Sequence, residues 1–201
     1  MKTNLARLMA FGLAVALGGD PARGDDKKED KVELKVGDAA PTFQLQDQAD
    51  KAWSSSDHFG KKWVVLYFYP GDFTPGCTAQ ARAFQEAMGK LAEKGVEVVG
   101  VSGDSVATHD LFRKAQKLSF MLLADPAGAA AKQFGVPFGP GAAVKAKGAD
   151  GKAFEFQREG TAARWTYIVG KDGKIAYKNT KVTPADDAKK IAAFIAEAEK
   201  K

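Results

Sequence analysis

Chemistry gathers in one stretch of the chain, "YPGDFTPGCTAQARAF" from Tyr69 to Phe84, which holds Cys77, the single cysteine in 201 residues. A cysteine reacts as its thiolate, so a reactive one needs surroundings that favour the anion. Phe84, Met88 and Leu91 recur at helical spacing after it, with Gly95 past the end and Pro75 at the mouth, where a missing N–H costs nothing. Cys77 then falls in the first turn, where unsatisfied N–H groups and the positive dipole end favour a thiolate at an accessible helix start. Thr74, three residues earlier, brings a hydroxyl that both donates and accepts, suited to holding a small polar oxygen substrate beside the sulfur. Pro70 begins the loop with a fixed φ and no donor. The bland alternative is an inert buried thiol. His58 and His109 lie far apart, and one Cys with two His gives no metal-ligand spacing. Both histidines read as structural, and neither metal nor cofactor is expected.

These residues need a scaffold, and the order of apolar runs supplies one. "KKWVVLYFY" (Lys61 to Tyr69) is a short continuous apolar run, as in a central strand buried on both faces. "VEVVGVS" (Val96 to Ser102) and "FMLLAD" read as further strands, with a helix at Ser105 to Lys117 between them and a small helix in "AGAAAKQFGV" after them. Alternating strands and helices imply parallel pairing with right-handed crossovers. Two segments with Gly or Asp-Gly turns, "VKAKGADGKAFEFQ" and "RWTYIVGKDGKIAYK", read as hairpins. The last helix is expected from Thr183 as N-cap and Pro184 at N1, with Ile191, Phe194, Ile195 and Ala198 on one face. This order is that of an α/β, thioredoxin-like fold, a mixed central sheet flanked by helices.

With 45% hydrophobic residues the chain has ample core for one domain. The formal charge is +5, but basic and acidic residues alternate along the chain and no basic stripe interleaves with aromatics, so no nucleic-acid partner is expected. Residues 1–18 have a signal-peptide layout: Lys2 and Arg7, an apolar run from Leu8 to Leu17, then small residues. That run is about half the ~20 residues needed to cross a bilayer, so a membrane anchor is the weaker reading and a disordered amphipathic start the bland one. Cleavage near Gly18 would give an exported, periplasmic protein with no membrane insertion. Residues 19–35 read as a charged linker, and residues 36–201 as the domain.

Pro70, Thr74 and Cys77 in "PGDFTPGC" match the P-x-x-x-T-x-x-C signature of the peroxiredoxins, and "YFYPGDFTPGCTAQARAF" resembles the subgroup named for bacterioferritin comigratory protein. The likeness extends from about Val36 to the final helix. It implies a thiol-dependent peroxidase in which Cys77 attacks the O–O bond of hydrogen peroxide or an organic hydroperoxide and becomes a sulfenic acid. Thr74, Gly76, Cys77 and Arg164 would bind the substrate, and Pro70 would shield the sulfur. The resemblance gives the arginine's place to Arg164 in "ARWTYIV", where an always-charged guanidinium would stabilise thiolate and leaving oxygen; Arg158 is its rival. Three departures stand out. Arg82 occupies the place where relatives often carry a second cysteine, Gln80 stands where glutamate is common and could loosen the arginine's network, and the segment 138–160 is long. One cysteine implies a one-cysteine mechanism with an external reductant, a thioredoxin-like protein or a small thiol, acting on a monomer or homodimer. The alternative is a non-catalytic thiol redox sensor on the same fold; a thioredoxin-type disulfide oxidoreductase is excluded because no C-x-x-C exists.

Overall fold

The computed structural model describes residues 32–200. The expected signal peptide and most of the linker lie outside the described residues. Strands β1 (Gln44–Asp47) and β2 (Ala52–Ser54) form a first hairpin, followed by β3 (Trp63–Phe68), α1 (Pro75–Ala92), β4 (Val96–Ser102), α2 (Val106–Gln116), β5 (Met121–Ala124) and α3 (Ala129–Gln133). Then come β6 (Phe138–Pro140), β7 (Ala143–Lys147), β8 (Ala153–Gln157), β9 (Gly160–Ala162), β10 (Trp165–Val169), β11 (Ile175–Asn179) and α4 (Asp187–Ala198).

Seven strands make one mixed sheet in the order β11-β10-β3-β4-β5-β1-β2. β3, β4 and β5 pair in parallel, as the crossovers through α1 and α2 require, while β10 runs antiparallel to β3 with Trp165 opposite Phe68. The apolar run of β3 is continuous because its alternate residues serve two cores. Val65 and Tyr67 pack under α1 and α4 with Phe84, Leu91, Ile191 and Ile195; Val64, Leu66 and Phe68 face Phe43, Phe134 and Tyr167 on the other side. Thioredoxin-like topology follows, with the chain leaving β3 directly into the cysteine loop.

Two helix starts differ in how they are built. Ser105 caps α2, its Oγ accepting from the Thr108 N–H at 3.3 Å. Thr183 and Pro184 do not open α4 as expected; they open a 3₁₀ turn, Pro184–Asp186, in which Thr183 makes no side-chain cap. The α register begins one turn later because the Asp187 carboxylate turns inward to buried partners. Ahead of the sheet, Leu34 packs on the core and its carbonyl accepts from Lys178 Nζ at 2.8 Å.

The long segment forms two separate ribbons, β6 with β9 and β7 with β8. In the second, Val144 pairs with Phe156 and Ala146 with Phe154, a half-buried face, while Lys145, Lys147 and Glu155 point to solvent. Its aromatic face leans on the cysteine loop, with the Phe154 ring 5.3 Å from that of Phe73.

Candidate active site

The loop from Pro70 to Thr74 turns the chain from the end of β3 into α1. It passes through Phe73 at φ 60°, a left-handed conformation that a bulky residue adopts only under constraint. Thr74 then takes the extended backbone of an N-cap without using its side chain as a cap. Its Oγ1 donates instead to the Gly71 carbonyl at 3.1 Å, leaving lone pairs to accept a ligand's proton.

Cys77 is the third residue of α1, where the N–H groups of the first turn have no intrahelical acceptor. The expectation of an accessible thiol is corrected: the residue is 1% exposed and belongs to the core that includes Ala81, Phe84 and Ala188. The covering comes from the chain's far end, since Arg164 and Pro184 close over the first turn of α1 at Gly76. Arg164 Nη2 donates to Cys77 Sγ at 3.1 Å. Among the described residues no group of three His, Cys, Asp or Glu could hold a metal ion.

Behind the arginine lies a junction that sequence reasoning missed. Gln80, fully buried, accepts from Arg164 Nη1 and donates through Nε2 to Asp187 Oδ2 at 2.8 Å. Thr166 Oγ1 donates to the same oxygen at 2.7 Å. Gln80 therefore closes the arginine's network rather than loosening it: an amide can accept from a cation on one side and donate to a carboxylate on the other. Burial pushes the Asp187 carboxyl up, against the pull of the Thr166 and Gln80 hydrogen bonds and of Lys190 and Arg164.

Arg158 does not reach the sulfur. It is 6% exposed and pairs with Asp104, Nε to Oδ1 at 2.8 Å. His109 lies nearby, fully buried, with Nδ1 at 2.8 Å from Asp72 Oδ2 and Nε2 at 3.1 Å from the Leu123 carbonyl. His58 stacks on Trp53 far from the cysteine loop and meets Glu97 at 2.7 Å.

The domain that carries this site has counterparts among known proteins. The model of the AhpC/TSA family matches residues 36–178. The chain belongs to the AhpC/TSA family.

Similar family members include a chloroplastic peroxiredoxin Q of Populus jackii, 44% identical over 117 residues that cover 58% of this chain and 54% of that protein. Another is a protein of Coxiella burnetii named as a peroxiredoxin bcp, 37% identical over 150 residues that cover 72% of this chain and 96% of that one. The chain spans about half the length of the chloroplastic curated relatives it matches. Among solved structures, the peroxidoxin BcpB of Mycobacterium tuberculosis superposes with a TM-score of 0.67 at 30% identity, over 82% of this chain and 98% of that one. A bacterioferritin comigratory protein of Xanthomonas campestris, described as having alkyl peroxide reduction activity, gives 0.66 at 28% identity over 84% and 98%. In this AhpC/TSA chain Arg82 lies on the exposed side of α1, its Nε donating to Gln116 Oε1 at 2.8 Å.

Proposed function

We propose that the chain is a thiol-dependent peroxidase acting on hydrogen peroxide and organic hydroperoxides through Cys77. The observation that carries this reading is the Arg164 guanidinium 3.1 Å from a sulfur buried at a helix N-terminus. The thiolate attacks one peroxide oxygen, the S–O bond forms as the O–O bond breaks, and the departing alkoxide or hydroxide takes up a proton. Thr74 accepts the hydrogen bond of the incoming peroxide, Pro70 and Gly76 shape its seat, and Arg164 stabilises the charge that moves from sulfur to the leaving oxygen. Cys77 is left as a sulfenic acid. One external thiol condenses with it and releases water; a second displaces the mixed disulfide, restoring Cys77 and leaving the reductant as its disulfide. With no second cysteine in the chain, the reductant must be another molecule.

The test is turnover with a supplied thiol together with mass spectrometry after one equivalent of peroxide in the presence of dimedone. The expected outcome is continuous peroxide consumption, one adduct on Cys77, a two-oxygen product growing with excess peroxide, and no adduct in Cys77→Ser. A single oxidation that no thiol reverses would favour the redox-sensor reading, and an unmodified thiol during peroxide loss would refute the cysteine mechanism.

The basic, apolar and small residues of positions 1–18 support export to the periplasm with cleavage near Gly18. The intact mass of the protein recovered from its host decides it, since a full-length cytosolic form would contradict export.

A further inference from the structure

We propose that Arg158 is a positioning residue of the peroxide site: anchored on Asp104, it holds the loop from Gly71 to Thr74, and so the Thr74 hydroxyl, in the geometry that receives the hydroperoxide. This inference rests on the thiol-peroxidase reading above.

The loop is gripped at Asp72. The Asp72 N–H donates to Asp104 Oδ2 at 2.8 Å, and the Asp72 carbonyl accepts from Arg158 Nη2 at 2.8 Å. The Asp72 carboxylate is held as well, by the Tyr69 hydroxyl at 2.7 Å and by His109. Asp104 is fixed in turn by Arg158 and by the Ser102 hydroxyl at 2.7 Å. Both peptide groups and the side chain of one loop residue are thus determined from outside the loop.

What this restraint serves is visible in its neighbours. The next residue is Phe73 in the left-handed region, a conformation that persists only where the surroundings over-determine it. The residue after that is Thr74, whose hydroxyl takes its direction from the Gly71 carbonyl. Gly71 lies flat under the arginine: a Cβ there would fall 2.0 Å from Arg158 Nε, so only glycine admits the side chain. Arg158 also ties in the β7–β8 hairpin, since it follows β8 directly, its guanidinium lies 5.7 Å from the centre of the Phe156 ring, and Phe154 and Phe156 pack on Phe73.

Stability alone is a weak reason for such a cluster. Buried ion pairs gain little over apolar residues of the same volume, whereas they fix geometry through directional bonds. The two arginines then divide the site. Arg164 acts on the sulfur, and Arg158 acts through Thr74 on the peroxide.

The experiment compares two rates of Cys77 in the full-length protein: single-turnover reaction with hydrogen peroxide, and alkylation by iodoacetamide, which needs the thiolate but not Thr74. The variants are Arg158→Met and the neutral pair Arg158→Met/Asp104→Asn, which leaves no carboxylate without its arginine. Arg158→Lys, which keeps the charge and one donor group, carries the same comparison if both neutral variants fail to fold by circular dichroism. Displacing Thr74 by about 1 Å should slow the peroxide reaction by roughly 10–100-fold while alkylation stays within about twofold of wild type. A folded variant with an unchanged peroxide rate would overturn the proposal. So would equal losses in both reactions, which would place the defect at the thiolate. A wild-type protein that alkylates but ignores peroxide would refute the peroxidase reading itself, and the wild-type arm alone reveals that.

Discussion

Gln80→Glu challenges the buried junction between Arg164 and Asp187 with a change of one atom. Glutamate keeps the size of glutamine and the acceptor facing Arg164, but replaces the Nε2 donor with a second acceptor 2.8 Å from Asp187 Oδ2. Two ionised oxygens at that 2.8 Å separation would repel by about 6 kcal/mol at an effective dielectric of 20. The junction escapes by taking up one proton, which for an ordinary glutamate at pH 7 costs about 4 kcal/mol. A stronger, charged bond to Arg164 offsets about 1 kcal/mol. The variant should therefore be less stable than wild type by about 3 kcal/mol at pH 7, a drop in Tm of about 6–12 °C for a domain of this size. The sign with pH follows from linkage: the folded variant already holds the extra proton at pH 7, so the penalty shrinks as pH falls toward the ordinary carboxylate value, where the unfolded chain takes up the same proton. At pH 5 the same proton costs about 1 kcal/mol, and the two proteins should nearly converge. Urea unfolding of both proteins at pH 5, 6 and 7 measures this. A variant as stable as wild type at pH 7, or a deficit that did not change with pH, would refute the view of Gln80 as a closed, neutral bridge.

Arg164→Met removes the donor 3.1 Å from Cys77 Sγ and should slow both the peroxide reaction and alkylation, the former by about 10²–10³-fold, as measured by stopped flow on the folded variant. Unchanged rates would take Arg164 out of the site. His109 is raised above its ordinary pKa: burial opposes its charge, but Asp72, the hydrogen bond to it, Asp104 and the Leu123 carbonyl together outweigh burial. Its contribution to stability is then complete below the ordinary histidine value of about 6.5 and is lost as pH rises through the raised one, so His109→Gln should flatten the pH dependence of urea midpoints above about pH 6.5. An identical pH profile in the variant would contradict a charged His109.

What could be read in advance was whatever a local pattern encodes. Both-face burial of β3 shows as an unbroken apolar run, and the glycine and proline punctuation marks α1 and the hairpins. Pro70, Thr74 and Cys77 lie together because they fall within eight consecutive residues of one chain segment. Arg158 and Arg164 are a different matter, six residues apart and alike in type. Only the antiparallel register of β10, Trp165 against Phe68, brings Arg164 to the end of β3 where the cysteine loop starts, and that pairing is non-local. Asp186 and Asp187 are likewise indistinguishable as letters, and the helix register that turns Asp187 inward depends on Gln80 and Thr166 waiting there. The burial of Cys77 was illegible for the same reason: its cover, Arg164 and Pro184, comes from the last quarter of the chain.

That separation orders events during synthesis. Cys77 leaves the ribosome 87 residues before Arg164, and Gln80 leaves 107 residues before Asp187. Through that interval the growing chain carries an ordinary thiol, without its guanidinium, no more attractive to an oxidant than cysteine in a peptide. Under the proposed mechanism, fast reaction with peroxide arrives with the closing of the last strands and helix, and the alkylation rate of the sulfur doubles as a gauge of how much of a preparation carries the Arg164 contact.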